Sequence, residues 1–118
     1  MANNTFLTAS HIRYLLALKK LNAVSGIKSV AVAKTLGLSK VSVHNMMDTF
    51  LDLQYIEKEH GGLVFLTEHG LQMASLFESY HSRLKEKLFV TDTTDPTADR
   101  AIYAFLAELS EQSFEMLV

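Results

Sequence analysis

Between Ser29 and Asp48 the chain reads SVAVAKTLGLSKVSVHNMMD, and three residues in that stretch leave few folds open. Ala33 is small enough to let two helices approach. Gly37 can take the left-handed conformation that reverses the chain, and Val43 can pin a second helix onto the first. Val32, Leu36, Leu38 and Met46 fall at helical intervals around them and are expected to supply the remaining apolar contacts. The expectation is a helix-turn-helix, a unit that normally lays its second helix in the major groove of DNA.

At 118 residues and 48% hydrophobic content, the chain can bury one real core but is too short for two independently stable globular domains. It contains no cysteine, which excludes disulfides and thiolate metal sites and makes a reducing compartment, the cytoplasm, the expected location. The opening MANNTFLTAS lacks a basic segment followed by an apolar core, and no stretch reaches the apolar length of a membrane span, so no membrane partner is expected. A net charge of −2 and a pI near 6.2 argue against a basic protein that coats DNA without regard to sequence. Charge is distributed unevenly, however. Lys28, Lys34, Lys40 and Lys58 fall in the first half beside Asp48, Asp52, Glu57 and Glu59, while Glu108, Glu111 and Glu115 come later. Any affinity for DNA should therefore be modest and sensitive to salt.

In chain order, Thr8 or Ser10 can cap a first helix whose apolar face carries Ile12, Leu15, Leu16, Leu18 and Leu21, ending near Asn22. AVSGIKS is a connector turning at Gly26, and the second helix runs from about Val30 to Leu36. Ser39 is placed to cap a third helix that continues to about Leu53, buried through Val43, Met46, Met47 and Phe50. Lys40, Ser42, His44 and Asn45 then project from its first turns. Two short β-prone runs follow, Tyr55–Ile56 and Leu63–Leu66, flanking His60, Gly61 and Gly62. A reading helix followed directly by a hairpin is the winged-helix arrangement, with Lys58 and His60 as candidates for the tip of the wing.

Thr67 caps a long helix with Glu68 at its positive end and a stripe of Leu71, Ala74, Phe77, Tyr80, Leu84 and Leu88. TDTTDPT interrupts it, and Asp95 with Pro96 can open a last helix to about Leu117, striped by Ala98, Ile102, Phe105, Leu106, Leu109 and Met116. The fold class expected is mainly α: a winged helix-turn-helix domain over residues 1–66, then a helical dimerisation region over 67–118. Two amphipathic helices carry more apolar surface than one small head can cover. A homodimer joined through Phe77, Tyr80, Leu84, Leu88, Ile102, Phe105 and Leu109 would cover it and set two reading heads about 34 Å apart on a palindromic site. The alternative is an intramolecular helical hairpin folded back on the head.

From Ser10 to about Phe89 the chain resembles the reading half of the iron- and manganese-dependent repressors related to the diphtheria toxin repressor. RYLLALKKL is similar to that family's opening helix, VAVAKTLGLSKVSVHNMMDTFLDLQYIEKEHGGLVFLTEHG to its reading head and wing, and SYHSRLKEKLF to its next helix. The helix-turn-helix and wing also occur in other regulators, including the MarR type, so the resemblance rests on the linked trio and on His81. It implies a metal held by acids of the opening helix, a histidine after the wing, and acids and a histidine of the following helix. His81 matches the histidine, but the opening acids correspond to about Arg13 and Leu16, Lys85 replaces the carboxylate four residues after His81, and the last cluster falls among Tyr103, Leu106 and Ala107. A divalent ion needs several converging oxygen or nitrogen donors. The expectation is accordingly a relative with no metal site and no cofactor.

Enzymatic motifs are missing: there is no phosphate-cradling glycine loop, no GxSxG, no cysteine nucleophile and no HExxH. The function expected is a DNA-binding transcriptional regulator, a repressor, that binds a palindromic operator as a homodimer without metal control. Ser39, Lys40, Ser42, His44 and Asn45 would enter the major groove, Lys28, Lys34 and Lys58 would meet phosphates, and His60 would serve the wing. The alternatives are a winged helix that binds a protein, and a metal-gated repressor with relocated ligands such as Glu78, Glu86 or Glu108 beside His81.

Overall fold

The computed structural model of the chain describes residues 7–88 and 96–108. Within them lie helices α1 (Ala9–Leu21), α2 (Ser29–Leu36) and α3 (Lys40–Asp52), strands β1 (Ile56–Lys58) and β2 (Val64–Leu66), and helices α4 (Glu68–Leu88) and α5 (Pro96–Glu108). Three helices, a hairpin and two further helices give the mainly helical winged-helix fold expected from the sequence. Leu109, Glu111, Glu115, Met116 and the expected helix end at Leu117 lie outside the described residues.

The chain divides into two compact units. One is Tyr14–Ser75; the other is drawn from both sides of it, from residues up to Arg13 and from Leu76 onward. The division falls inside α1 and α4.

In the unit Tyr14–Ser75, α2 ends where the sequence requires. Gly37 sits at φ 68 and ψ 35, and its N–H and that of Leu38 both point to the carbonyl of Ala33, so two amides share one of the helix's last acceptors. Ser39 then opens α3: its Oγ accepts from the Ser42 N–H at 3.1 Å, satisfying one of the free donors of the first turn. Val43, Met47 and Phe50 are fully buried against a core that includes Leu15, Leu18, Val32 and Ile56. The ring of Phe50 meets Tyr14 and Tyr55 edge to face, with centroids 6.3 and 5.5 Å away. Leu38 differs from expectation. It lies beyond the end of α2 in the turn and is 37% exposed, while Leu36 and Met46 are only half-buried.

The end of α3 uses the same device as the end of α2 without a glycine. Gln54 is left-handed at φ 63, the Tyr55 N–H returns to the Phe50 carbonyl at 2.9 Å, and the Gln54 N–H returns to that of Leu51 at 3.1 Å. Thr67 ties this corner to α4. Its N–H donates to the Tyr55 carbonyl, its hydroxyl donates to the Gln54 carbonyl at 2.7 Å, and the same oxygen accepts from the Gly70 N–H at 2.9 Å. Gly70 is dictated by closeness, since a Cβ there would collide with the Tyr55 carbonyl oxygen.

The strands pair antiparallel with Ile56 opposite Leu66 and Lys58 opposite Val64. A third partner was not anticipated. Ile27, in the connector before α2, exchanges both backbone hydrogen bonds with Val64, at 2.8 and 2.9 Å, so β2 is flanked on both sides.

In the other unit, the buried apolar residues are Leu7, Ile12, Tyr80, Leu84, Ala98, Ile102 and Leu106. The start of α1 carries a reciprocal cap: the His11 N–H donates to Thr8 Oγ1 at 3.2 Å, and the Thr8 N–H donates to His11 Nδ1 at 3.0 Å. A histidine thus fills the place usually held by glutamate or glutamine in a capping box.

Candidate nucleic-acid interface

Burying Val43, Met47 and Phe50 fixes the rotation of α3 about its own axis. At 100° per residue, the opposite side is Val41, Asn45, Asp48 and Asp52, with His44 on its flank, and all five are exposed. Ser39, Lys40 and Ser42 are also exposed, at the helix start. The residues expected to read bases therefore share one end of one anchored helix. Three members of that side, Val41, Asp48 and Asp52, were not among the residues expected to read bases. Val41 is 70% exposed, and Asp48 stands one turn after His44. All three follow from the helical phase set by the buried trio, a signal that hydrophobicity alone obscures for a valine.

The polar groups differ in how far they are already engaged. Ser39 Oγ donates to Ser42 Oγ at 3.0 Å besides accepting from the Ser42 amide, so these two hydroxyls form a local pair. The backbone carbonyl of Asn45 accepts from Thr49 Oγ1 at 3.3 Å, a bond that does not involve the Asn45 amide side chain. His44 Nε2 stands 3.6 Å from Asp48 Oδ2, and Lys58 Nζ stands 3.6 Å from Asp48 Oδ1.

The expected phosphate contacts are placed unequally. Lys28, the residue before α2, and Lys34, in its last turn, are exposed. Lys58 is not at the wing tip. It ends β1, its side chain is only 27% exposed, and it faces the carboxylate of α3. The tip itself is His60–Gly62, closed by the Glu59 N–H donating to the Leu63 carbonyl and the Gly62 N–H to the Glu59 carbonyl, with His60 exposed.

The histidine matched by the family resemblance lies in the other unit. His81 of α4 is mostly buried, with Nε2 3.3 Å from Asp99 Oδ1 of α5 but making no hydrogen bond, and its ring lies 5.1 Å from that of Tyr103. Burial holds the imidazole below its ordinary pKa; the Asp99 carboxylate opposes that shift and the Lys85 ammonium adds to it. Tyr103 is pushed up, first by burial and then by Asp99, with Arg13 pulling the other way. Of the positions that correspond to metal ligands, His81 alone carries a ligand type; Arg13, Leu16, Lys85, Tyr103, Leu106 and Ala107 occupy the others, and Asp99, the carboxylate beside the imidazole, is at none of them. Such residues do not fit a divalent cation, and among the described residues no group of three His, Asp or Glu side chains could hold one.

The surface assigned to a dimer is smaller than the sequence suggests. Tyr80, Leu84 and Ile102 are buried within the chain, at 3%, 1% and 0% exposure, because α4 and α5 serve the core of their own unit. Phe77 is half-buried, and Leu88 and Phe105 are exposed.

No protein-family model matches the chain, and no curated protein matches it in sequence. Among solved structures, the crystal structure of a hypothetical protein from Sulfolobus solfataricus has the same fold. The TM-score is 0.70 at 22% identity, over 94% of this chain and 86% of that one. At that identity the likeness speaks for the fold alone. No described helix is long and apolar enough to cross a membrane.

Proposed function

We propose that this chain is a DNA-binding transcriptional regulator, a repressor in the cytoplasm, that places α3 in the major groove of a palindromic operator as a homodimer and acts without metal control. The observation that carries the reading is the first two turns of α3. Asn45 opposite the buried side, His44 on its flank, and Lys40 and Ser42 at the helix start are all exposed, while Val43, Met47 and Phe50 are fully buried, which is what a rigid reading ridge requires. Asn45 is the best base reader, because its amide can pair with both N6 and N7 of adenine. Lys28, Lys34 and Lys40 supply exposed positive charge around it, and His60 supplies a donor at the wing. Leu88, Phe105 and the half-buried Phe77 are the apolar surface through which two copies would pair.

A second reading has a specific observation in its favour. Asp48 and Asp52 stand on the same side of α3, and net charge is −2, so a protein with a basic groove would also suit this ridge. Selection of bound fragments from a pool of random duplexes by the purified protein, with and without manganese, iron or zinc, separates the two. The expected result is a two-fold symmetric motif with half-sites about one helical turn apart, enriched equally with and without metal. No enrichment even at low salt would end the DNA-binding reading, and enrichment only with metal would end its metal independence.

A further inference from the structure

The acid at the centre of the α3 ridge has no place in a scheme built only on cations and amides. Asp48 is 57% exposed, and its two oxygens face different partners: Oδ2 faces His44 on its own helix and Oδ1 faces Lys58 on β1. Each contact is 3.6 Å long, too long and too exposed to hold the groups tightly. The carboxylate therefore stands between α3 and β1, with more than half of its side chain still open to solvent. It also lies one turn beyond His44 and Asn45, on the side of α3 that would enter a groove.

A fixed negative charge there has two consequences for a duplex. Toward phosphate it is repulsive, so it lowers affinity for every sequence alike. Toward base edges it discriminates, because a carboxylate accepts hydrogen bonds and donates none. Amino groups, N4 of cytosine or N6 of adenine, satisfy it; O6 and N7 of guanine and O4 of thymine oppose it with lone pairs. Selectivity built from a penalty on the wrong partner needs such a group.

We propose that Asp48 is a specificity-determining residue of this interface, accepting from a base amino group in the major groove and resisting close approach where the base facing it presents only lone pairs. The inference rests on the duplex-binding reading above. Its partner is the amino edge of a base pair, not the phosphate backbone.

The test compares wild type with Asp48→Asn, of nearly the same shape but without charge and with a donor. Both are taken through random-duplex selection and then through titration against the selected site and against random-sequence duplex. Asp48→Asn is expected to bind random duplex more tightly, to lose about tenfold in the ratio of selected to random affinity, and to relax preference at one base pair per half-site. Preference at the pair read by Asn45 stays as it was. A matched thermal melt shows that the fold is unaffected. An unchanged affinity ratio and motif would overturn the proposal. So would an effect that disappears in a Lys58→Met background, since the carboxylate would then act only by occupying Lys58. Failure of wild type to enrich any duplex is a distinct outcome: it removes the duplex-binding reading, and this inference with it.

Discussion

Gln54 and Gly37 perform the same task, a left-handed residue that returns free amides to the last turn of a helix, yet only one of them was readable in the sequence. Glycine at position 37 announces a reversal because it alone adopts that conformation without cost. Glutamine gives no such signal, and it tolerates φ 63 because the Tyr55 and Thr67 hydrogen bonds fix the corner around it. The strain should be recoverable: Gln54→Gly is expected to raise stability by about 1 kcal/mol, seen as a higher urea midpoint with unchanged slope. The other residue-scale surprise is chemical. His11 accepts the Thr8 N–H through Nδ1, which requires that nitrogen to be bare, and burial lowers its pKa as it does that of His81. The folded chain therefore binds these two protons less readily than the unfolded chain. Stability from both is complete above the ordinary histidine value of about 6.5 and is lost as pH falls through the lowered folded values. His11→Gln keeps an acceptor for Thr8 without a titrating group. Denaturant midpoints across pH 5 to about 8 should show a shallower acid decline for it than for wild type.

At the scale of elements, the helices were legible because each has an independent local signal. The Ser39 cap, the Gly37 stop and the Thr67 cap all act where the residue types placed them. The hairpin was legible as two β-prone runs around Gly61 and Gly62. Its third partner was not, because Ile27 is a single residue between turns and one residue carries no period. The proposed reading ridge was legible in part. Its polar members were found by type, but Val41 and Asp48 need the rotation of α3, which only the buried side fixes. The roles proposed for the ridge separate in one experiment. Asn45→Ala should relax sequence choice at one base pair, costing roughly tenfold against the selected site and little against random duplex. Lys40→Ala should weaken both alike and reduce the salt slope by about one. Titrations at several salt concentrations in which both variants lose equally on every sequence would refute that split.

For the whole molecule, the expectation that most needed revision is how the late helices are spent. A stripe at three- and four-residue steps shows that a face is buried, not by what, and Tyr80, Leu84 and Ile102 are covered within their own unit. The pairing proposed for two copies therefore depends on fewer groups and should be easy to break. Phe105→Asp is expected to convert a dimer to a monomer in sedimentation equilibrium while leaving the melting midpoint within a few degrees, because Phe105 is 39% exposed. The threading of the chain has its own consequence. Tyr14–Ser75 is continuous, whereas the other unit gathers residues 7–13 with 76–88 and 96–108. During synthesis the continuous unit can condense as soon as it leaves the ribosome. The segment before it has to wait for residues made more than sixty positions later, so it can join its own unit only after the continuous one has been synthesised.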